Sequence, residues 1–273
     1  MEPPARNQDV RLTDRPAENA LVEALHHVMD GAALTRAEAR AAMESLLRGE
    51  ATDAQIAGML TALRLRGETV EELVGFAEAM RAHARPIFAP GERPAEPLVD
   101  TCGTGGDGAG TFNVSTAAAF IVAASGVKVA KHGNRSLSSR CGSADVLEAL
   151  GVNLLAEPER VAAAIRSVGI GFIFAPSVHT AMKHAQKARR DLRFRTVLNL
   201  LGPLTNPALV DAQVVGVFDA RWLEPVAATL GELGVRRAFV VHSRDGLDEA
   251  SLSDSTEVVE LAERQIKRFA LTP

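Results

Sequence analysis

The 273-residue chain has no apolar run approaching the ~20 residues that a bilayer span requires, which excludes a membrane-crossing helix and makes a membrane partner unexpected. The first twenty residues, MEPPARNQDVRLTDRPAENA, lack the apolar core of a secretory signal, so residues 1–18 read as a loose leader and a cytoplasmic protein is expected. Cysteine is scarce: Cys102 and Cys141 form no C-x-x-C, and two reduced thiols are expected rather than a disulfide or a metal cluster. Positive charge is not in excess either. A net charge of -4 gives no general attraction to nucleic acid or to an anionic membrane, so any anion site must be local. Aromatic residues make up only 4%, but 47% hydrophobic and 23% charged residues are ordinary for a globular chain with a sizeable core. No repeat of solenoid period is present.

From about Asn19 to Ala84 the sequence reads as short amphipathic helices. Three of them open with capping boxes, Thr35 with Glu38, Thr52 with Gln55, and Thr69 with Glu72, in which the threonine oxygen accepts from a free helix N–H while the third residue reaches back. Residues 19–85 are therefore expected to form a helical domain, completed in part by later helices. PIFAPGERPAEP then carries Pro86, Pro90, Pro94 and Pro97, a stiff connector over residues 86–97. From residue 98 to 273 strand and helix patterns alternate: PLVDT, STAAAFIVAASG, VKVAK, SADVLEALG, VNLL as a further strand, PERVAAAIRSVG, IGFIFA, and a helix from about His179. AQVVGVF, EPVAATLGELG and RAFVVHS repeat the pattern, and TEVVEL with QIKRFAL reads as a hairpin. The expected fold class is α/β: a small N-terminal all-helical domain and a larger domain with a mainly parallel sheet, whose ligand loops lie at the strand C-terminal ends.

The stretch DTCGTGGDGAGTFNVST places Gly103, Gly105 and Gly108 at G-x-G-x-x-G spacing, the mark of a dinucleotide loop. Three features oppose that reading. The helix begins late, with Asn113 or Ser115 as its N-cap; the next strand ends in Lys131 and His132 where a ribose-binding acid is needed; and Asp107 would repel a bare pyrophosphate. A Walker loop is excluded because no Gly-Lys-Ser/Thr closes the run. What remains is a glycine loop feeding a helix N-terminus with Asn113, Ser115 and Thr116, a place where exposed N–H groups bind phosphate.

A second loop, KHGNRSLSSRCGSAD, also runs from strand to helix and carries Lys131, Arg135, Arg140, Ser136, Ser138, Ser139 and Ser143. Adjacent parallel strands bring such loops side by side, so a polyanionic ligand is expected. Downstream, RDGLDEAS supplies Asp245, Asp248 and Glu249, hard oxygen ligands suited to Mg²⁺ alongside substrate phosphates. A basic helix holds His179, Lys183, Lys187, Arg189, Arg190, Arg193 and Arg195, either as a solvated face or with one arginine facing a carboxylated substrate.

Taken in order, GTGGD, NVST, KHGNR, RTVLNLLGPLTNP and DGLDE resemble the anthranilate phosphoribosyltransferase family, the resemblance running from about Leu21 to the last residue. It implies a homodimer formed through the helical domain, association with the pathway's anthranilate synthase, and transfer of phosphoribosyl from phosphoribosyl pyrophosphate (PRPP) to anthranilate. A pyrimidine nucleoside phosphorylase on the same fold and a silent nucleic-acid-binding relative are the alternatives, and KHGNR with DGLDE favours the pyrophosphate-and-metal substrate. Matched position by position, Gly103, Gly106, Asp107, Thr111, Asn113, Val114, Ser115 and Thr116 are implied as the first part of the PRPP site. Lys131, His132, Gly133, Asn134, Arg135, Ser136, Leu137, Ser138, Ser139 and Ser143 are implied as the second. Ser115, Asp248 and Glu249 match the Mg²⁺ positions. Gly103, Asn134 and Arg189 match the anthranilate contacts, and His132 and His179 fall beside the aromatic substrate, with a hydrogen-bonded structural role as their alternative. Lys131, Asn134 and Arg189 are the implied catalytic set. Two departures stand out: Thr180 follows His179 where the family usually has proline, and family members continue beyond the position of Pro273, so the large domain is expected to be incomplete at its C-terminus.

Overall fold

The computed structural model describes residues 19–105, 110–136 and 141–273. Its N-terminal unit contains helices α1 (Ala20–Met29), α2 (Arg36–Leu47), α3 (Asp53–Arg66) and α4 (Val70–Ala82). All three capping boxes form: Thr35, Thr52 and Thr69 accept from the N–H groups of Glu38, Gln55 and Glu72, whose side chains reach back to the cap amides. Each box satisfies two donors that an uncapped helix leaves open, which is why these helices start where the pattern puts them. Helix α4 is the hub, with Leu73, Val74, Phe76, Ala77, Ala79 and Met80 buried. Gly75 lets α2 come against it, since a Cβ there would lie 2.3 Å from the carbonyl oxygen of Arg36.

Glu72 does more than close its box. Fully buried, it accepts from the amides of Thr69 and Leu34, each at 2.8 Å, and pairs with the Arg66 guanidinium. One carboxylate thus ties the end of α3 and the turn before α2 to the start of α4.

No helix or strand occupies residues 83–97, the proline connector. Beyond it, five parallel strands, β1 (Leu98–Gly103), β2 (Lys128–Gly133), β3 (Ile170–Phe174), β4 (Ala212–Gly216) and β5 (Arg237–Ser243), continue into antiparallel β6 (Thr256–Ala262) and β7 (Gln265–Leu271). The sheet order is β3-β2-β1-β4-β5-β6-β7. Helix α5 (Val114–Ala124) joins β1 to β2, and α6 (Ser143–Ala149) and α7 (Pro158–Ser167) join β2 to β3. The chain then leaves the sheet through α8 (Ala175–Val178), a 3₁₀ turn (Thr180–Ala185), α9 (Gln186–Leu192) and α10 (Val197–Leu204). It packs α9 against α3 and α10 against α4, and re-enters as β4 on the other side of β1. Helix α11 (Leu223–Glu232) joins β4 to β5. The direction of strand addition reverses at β1, so the loops after β1 and β4 part and leave a crevice at their C-terminal ends.

One hydrophobic cluster runs without interruption from Leu21, Leu63 and Phe76 through Leu201 and Leu230 to Val215, Val240 and Val259, so the helices and the sheet share a core. A second gathers Ile87, Leu98, Ala130, Ile165 and Ile173. Arg81 bridges the two units by donating to the carbonyls of Leu204 and Leu233 at 2.8 and 2.9 Å, its pKa lowered to about 10 by burial.

Two element expectations fail. VNLL is no strand: the Asn153 side chain accepts from the Leu155 amide at 3.0 Å in a local turn, β3 already occupies the side of β2 away from β1, and Leu154 is buried beside Ala144 and Leu147. The helix from His179 is also interrupted, as the 3₁₀ turn followed by short α9, which ends at Arg193 in the left-handed region (φ 53°). The hairpin does form, turning on Glu263 and Arg264, both at positive φ as a tight two-residue turn requires. Among the described residues no helix is long and apolar enough to cross a membrane.

Replacing Glu72 by alanine would leave the buried Leu34 amide and the half-buried Thr69 amide without an acceptor and take from Arg66 its carboxylate partner, though not its bonds to the Ala32 and Gly67 carbonyls. The expected cost is about 3 kcal/mol of stability, read as a lower midpoint in urea unfolding; a loss within 0.5 kcal/mol, the usual range for surface substitutions, would show that water replaces the carboxylate.

Candidate active site

The crevice is closed from above by Asp248, which lies across the ends of β1 and β4. A Cβ at Gly216 would sit 1.5 Å from the Asp248 carbonyl oxygen, so this strand end must be glycine, and one at Gly103 would sit 2.9 Å from the Asp248 carboxylate and displace it. The carboxylate accepts from the Gly105 amide at 2.8 Å, with Gly105 at φ +67°. Between the two glycines of the loop, Thr104 donates its amide to the Gly216 carbonyl (2.9 Å), while its hydroxyl accepts from the Phe218 amide (3.0 Å).

The next acidic residue serves the helix. Glu249 accepts from the Ser115 amide at 3.2 Å, at the positive end of α5, where a carboxylate or a phosphate is stabilised. Asn113 is the N-cap residue but makes no cap bond; its side chain donates to the Cys141 carbonyl at 3.2 Å and ties the first loop to the second. Thr116 and Ser143 join through their hydroxyls at 3.0 Å. The Lys131 ammonium, 2% exposed, donates to the Thr101 carbonyl (2.5 Å) and the Ser115 hydroxyl (3.3 Å). Burial pushes its pKa down and that of the fully buried Asp100 up, and each charge opposes the other's shift.

Asp100 and Asn206 are the residues sequence reasoning did not single out. Asp100 accepts from the His132 amide (3.2 Å) and from Asn206 (2.8 Å), which also donates to the Ala130 carbonyl (2.8 Å). Their only signal is position: Asp100 opens the glycine stretch and Asn206 precedes the final proline of GPLTNP.

In the second loop, Asn134 is exposed and accepts from the Arg135 amide at 2.7 Å, and Gly133 packs against Phe172. Arg135 is already matched, with Asp145 at 2.9 Å and Glu148 at 2.7 and 2.8 Å holding its guanidinium in an exposed cluster that raises its pKa. Asp145 also accepts from the Ser136 and Gly142 amides, shaping the turn into α6. Thr111 is exposed, and Val114 begins α5. Gly106, Asp107 and Gly108 in the first loop and Leu137, Ser138, Ser139 and Arg140 in the second lie outside the described residues, as do residues 1–18.

His132 and His179 meet edge to face, ring centroids 5.2 Å apart. Burial lowers their pKa values to about 3 and about 4, so both rings are neutral near pH 7, and their Nε2 atoms have no hydrogen-bond partner among the described residues. Arg189, half-buried on α9, has no hydrogen bond or ion pair among the described residues, and burial lowers its pKa. Lys187 is instead paired with Asp53 of the helical unit at 2.7 Å. Asp245 does not join the acidic pair in these contacts: it accepts from the Ser251 hydroxyl and the Leu247 amide within its own turn.

Among the described residues no group of three or more histidines, cysteines, aspartates or glutamates is placed to hold a metal ion. The set of Ser115 hydroxyl, Asp248 and Glu249 still fits Mg²⁺, a hard cation that takes one or two carboxylates and completes its shell with water and substrate phosphate.

A glycine loop and helix N-terminus, a buried lysine and an acidic pair at the C-terminal ends of interior strands suit a transferase acting on a phosphorylated substrate. Residues 95–273 match the glycosyl transferase family α/β domain and residues 22–84 the family's helical bundle domain. The anthranilate phosphoribosyltransferase of Solibacter usitatus is 56% identical over 254 residues, 93% of this chain and 74% of the relative. Among solved structures, anthranilate phosphoribosyltransferase from Thermus thermophilus superposes with a TM-score of 0.85 at 50% identity, over 92% of this chain and 73% of that one. The Saccharomyces cerevisiae enzyme in complex with PRPP and Mg gives 0.80 at 29% identity, over 92% and 72%. The chain belongs to the anthranilate phosphoribosyltransferase family.

The two buried histidines set a pH response. In the unfolded chain each titrates near pH 6.5, whereas in the folded protein protonation waits until about pH 3 or 4, so below ~6.5 the unfolded state binds more protons and stability falls with pH. The expected slope approaches about 1.4 kcal/mol per pH unit per histidine as pH falls from ~6 to ~5, measured by urea unfolding. His179→Gln should remove its own share, and an unchanged slope in that variant would contradict the assignment.

Proposed function

We propose that this protein transfers the phosphoribosyl group of PRPP to the amine of anthranilate, giving N-(5'-phosphoribosyl)anthranilate and pyrophosphate in tryptophan biosynthesis. The observation that carries the reading is the convergence, at the C-terminal ends of interior strands, of the glycine loop, the α5 N-terminus, Lys131 and the Asp248–Glu249 pair. Family membership and the relatives' names support both substrates.

The anthranilate amine is neutral at pH 7, so attack needs no prior deprotonation. The difficult step is departure of pyrophosphate from the anomeric carbon, with positive charge growing on the ribose and negative charge on the leaving group. The positive end of the α5 dipole, with the hydroxyls of Ser115 and Thr116, draws in the phosphates, while the Gly105 and Ser115 amides are held by Asp248 and Glu249. The Lys131 ammonium, fixed between Thr101 and Ser115, offsets the charge of the departing group. Ser115, Asp248 and Glu249 would hold Mg²⁺, which would supply further neutralisation of the pyrophosphate. Arg189 has no anionic partner among the described residues and takes the anthranilate carboxylate; Asn134 and Gly103 orient the amine, and the neutral His132 and His179 rings wall the aromatic side. Catalysis then rests on positioning and electrostatics, with no covalent intermediate.

The same reading places the enzyme in the cytoplasm and makes the helical unit, where Met29 and Leu65 are exposed, the contact between two copies. Light scattering should return twice the chain mass, and a monomer at micromolar concentration would refute that contact. Association with anthranilate synthase belongs to the same reading and rests on family resemblance alone; co-sedimentation of the two purified enzymes tests it, and independent boundaries would refute it.

Anthranilate fluorescence should fall only when PRPP and Mg²⁺ are both present. Asp248→Asn with Glu249→Gln is expected to lower kcat roughly hundredfold and flatten the Mg²⁺ dependence. Arg189→Ala should raise the anthranilate KM roughly 10- to 100-fold with a smaller change in that for PRPP. Unaltered Mg²⁺ kinetics in the first variant, or unaltered anthranilate KM in the second, would refute the corresponding role.

A further inference from the structure

Among the described residues four arginines lie over aromatic rings, and three of them are also held by carboxylates: Arg135 by Asp145 and Glu148, Arg221 by Asp219, and Arg237 by Glu260. Arg195 is the exception. Its guanidinium carbon sits 4.3 Å from the centroid of Phe218, the shortest of the four such distances, and it has no hydrogen bond or ion pair among the described residues. The backbone on either side is constrained, by Arg193 in the left-handed region before it and by Thr196, the N-cap of α10, after it. The side chain is thus presented from a held stretch of chain onto a ring face.

That ring packs against the main hydrophobic core, and its backbone runs beside the crevice. Phe218 lies two residues beyond the end of β4, and its amide donates to the Thr104 hydroxyl at 3.0 Å, while the Thr104 amide donates to the Gly216 carbonyl at 2.9 Å. Thr104 is therefore tied twice to the chain leaving β4, and it stands between Gly103 and Gly105, whose backbone faces Asp248. A guanidinium stacked on a ring face contributes cation–π attraction and planar contact that an ammonium on a flexible stem does not reproduce.

We propose that Arg195 is a positioning residue for the reaction, acting through the face of Phe218 on Thr104 to fix the Gly103–Gly105 backbone where the substrate binds. The inference rests on the reading of this loop as the PRPP site. Arg195 touches no substrate in this role; it limits the excursions of the Phe218 segment, and through two hydrogen bonds those of the loop. A loop free to move must be ordered when substrate binds, and that cost appears in affinity for the phosphorylated substrate more than in turnover at saturation.

The test compares the wild-type chain with Arg195→Lys, Phe218→Leu and the double variant, using steady-state kinetics and hydrogen exchange at the Thr104 and Gly105 amides. Each single variant is expected to raise the KM for PRPP roughly three- to tenfold, with kcat within about twofold. Exchange at both amides should quicken, and the double variant should be no worse than the poorer single one, because the two side chains act as one unit. Additive losses, or unchanged exchange and KM in Arg195→Lys, would overturn the proposal, and a lower melting temperature alone would not rescue it. A wild-type chain that consumes no anthranilate would refute the functional reading instead, and amide exchange would then decide the Arg195 assignment by itself.

Discussion

The bond from the Gly105 amide to the Asp248 carboxylate joins stretches of chain 143 residues apart, and the site depends on it. Gly216 makes it possible, since any side chain there would strike the Asp248 backbone, and Gly103 leaves room for the carboxylate, letting the acidic loop lie against the ends of two neighbouring strands. Once Asp248 is seated, Glu249 follows in sequence and reaches the first turn of α5. A single close approach thereby sets a carboxylate on each of the two backbone features, glycine loop and helix N-terminus, that are built to receive phosphate.

A second constraint lies beneath this surface. Lys131 and Asp100 come from adjacent parallel strands, both almost wholly removed from water, and each charge is costly to keep there. The structure meets the difficulty with hydrogen bonds on every side: Thr101 and Ser115 for the ammonium, the His132 amide and Asn206 for the carboxylate. Such a network tolerates little displacement, which suits the role proposed for Lys131 beside a leaving group.

Much of the fold was legible because its signals are local. The boxes at Thr35, Thr52 and Thr69 state where helices begin, and apolar alternation marks the strands and the terminal hairpin. VNLL failed because four apolar-rich residues look alike whether they pair in a sheet or turn over a small cluster, and only neighbouring elements decide. The glycine loop, Lys131 and the acidic pair could be read from residue types and spacing. What could not be read were partnerships across long separations: that Arg135 commits its charge to Asp145 and Glu148 while Arg189 keeps its own, or that Asn206 braces Asp100 from 106 residues away. Composition reveals which groups exist, but only tertiary contact shows which are already satisfied.

The placement of β1 between β2 and β4 also has a consequence in time. During synthesis the glycine loop leaves the ribosome well before β4 and Asp248 exist, and at about 5–20 residues per second the interval is on the order of ten seconds or more. Through that interval one edge of β1 has no neighbour and its terminal amides have no carboxylate. Until β4 is made, the chain carries an open edge on β1, the kind of unpaired strand edge that favours aggregation. The candidate site is assembled only after a long stretch of chain has followed the glycine loop, because its closing piece is encoded 143 residues later.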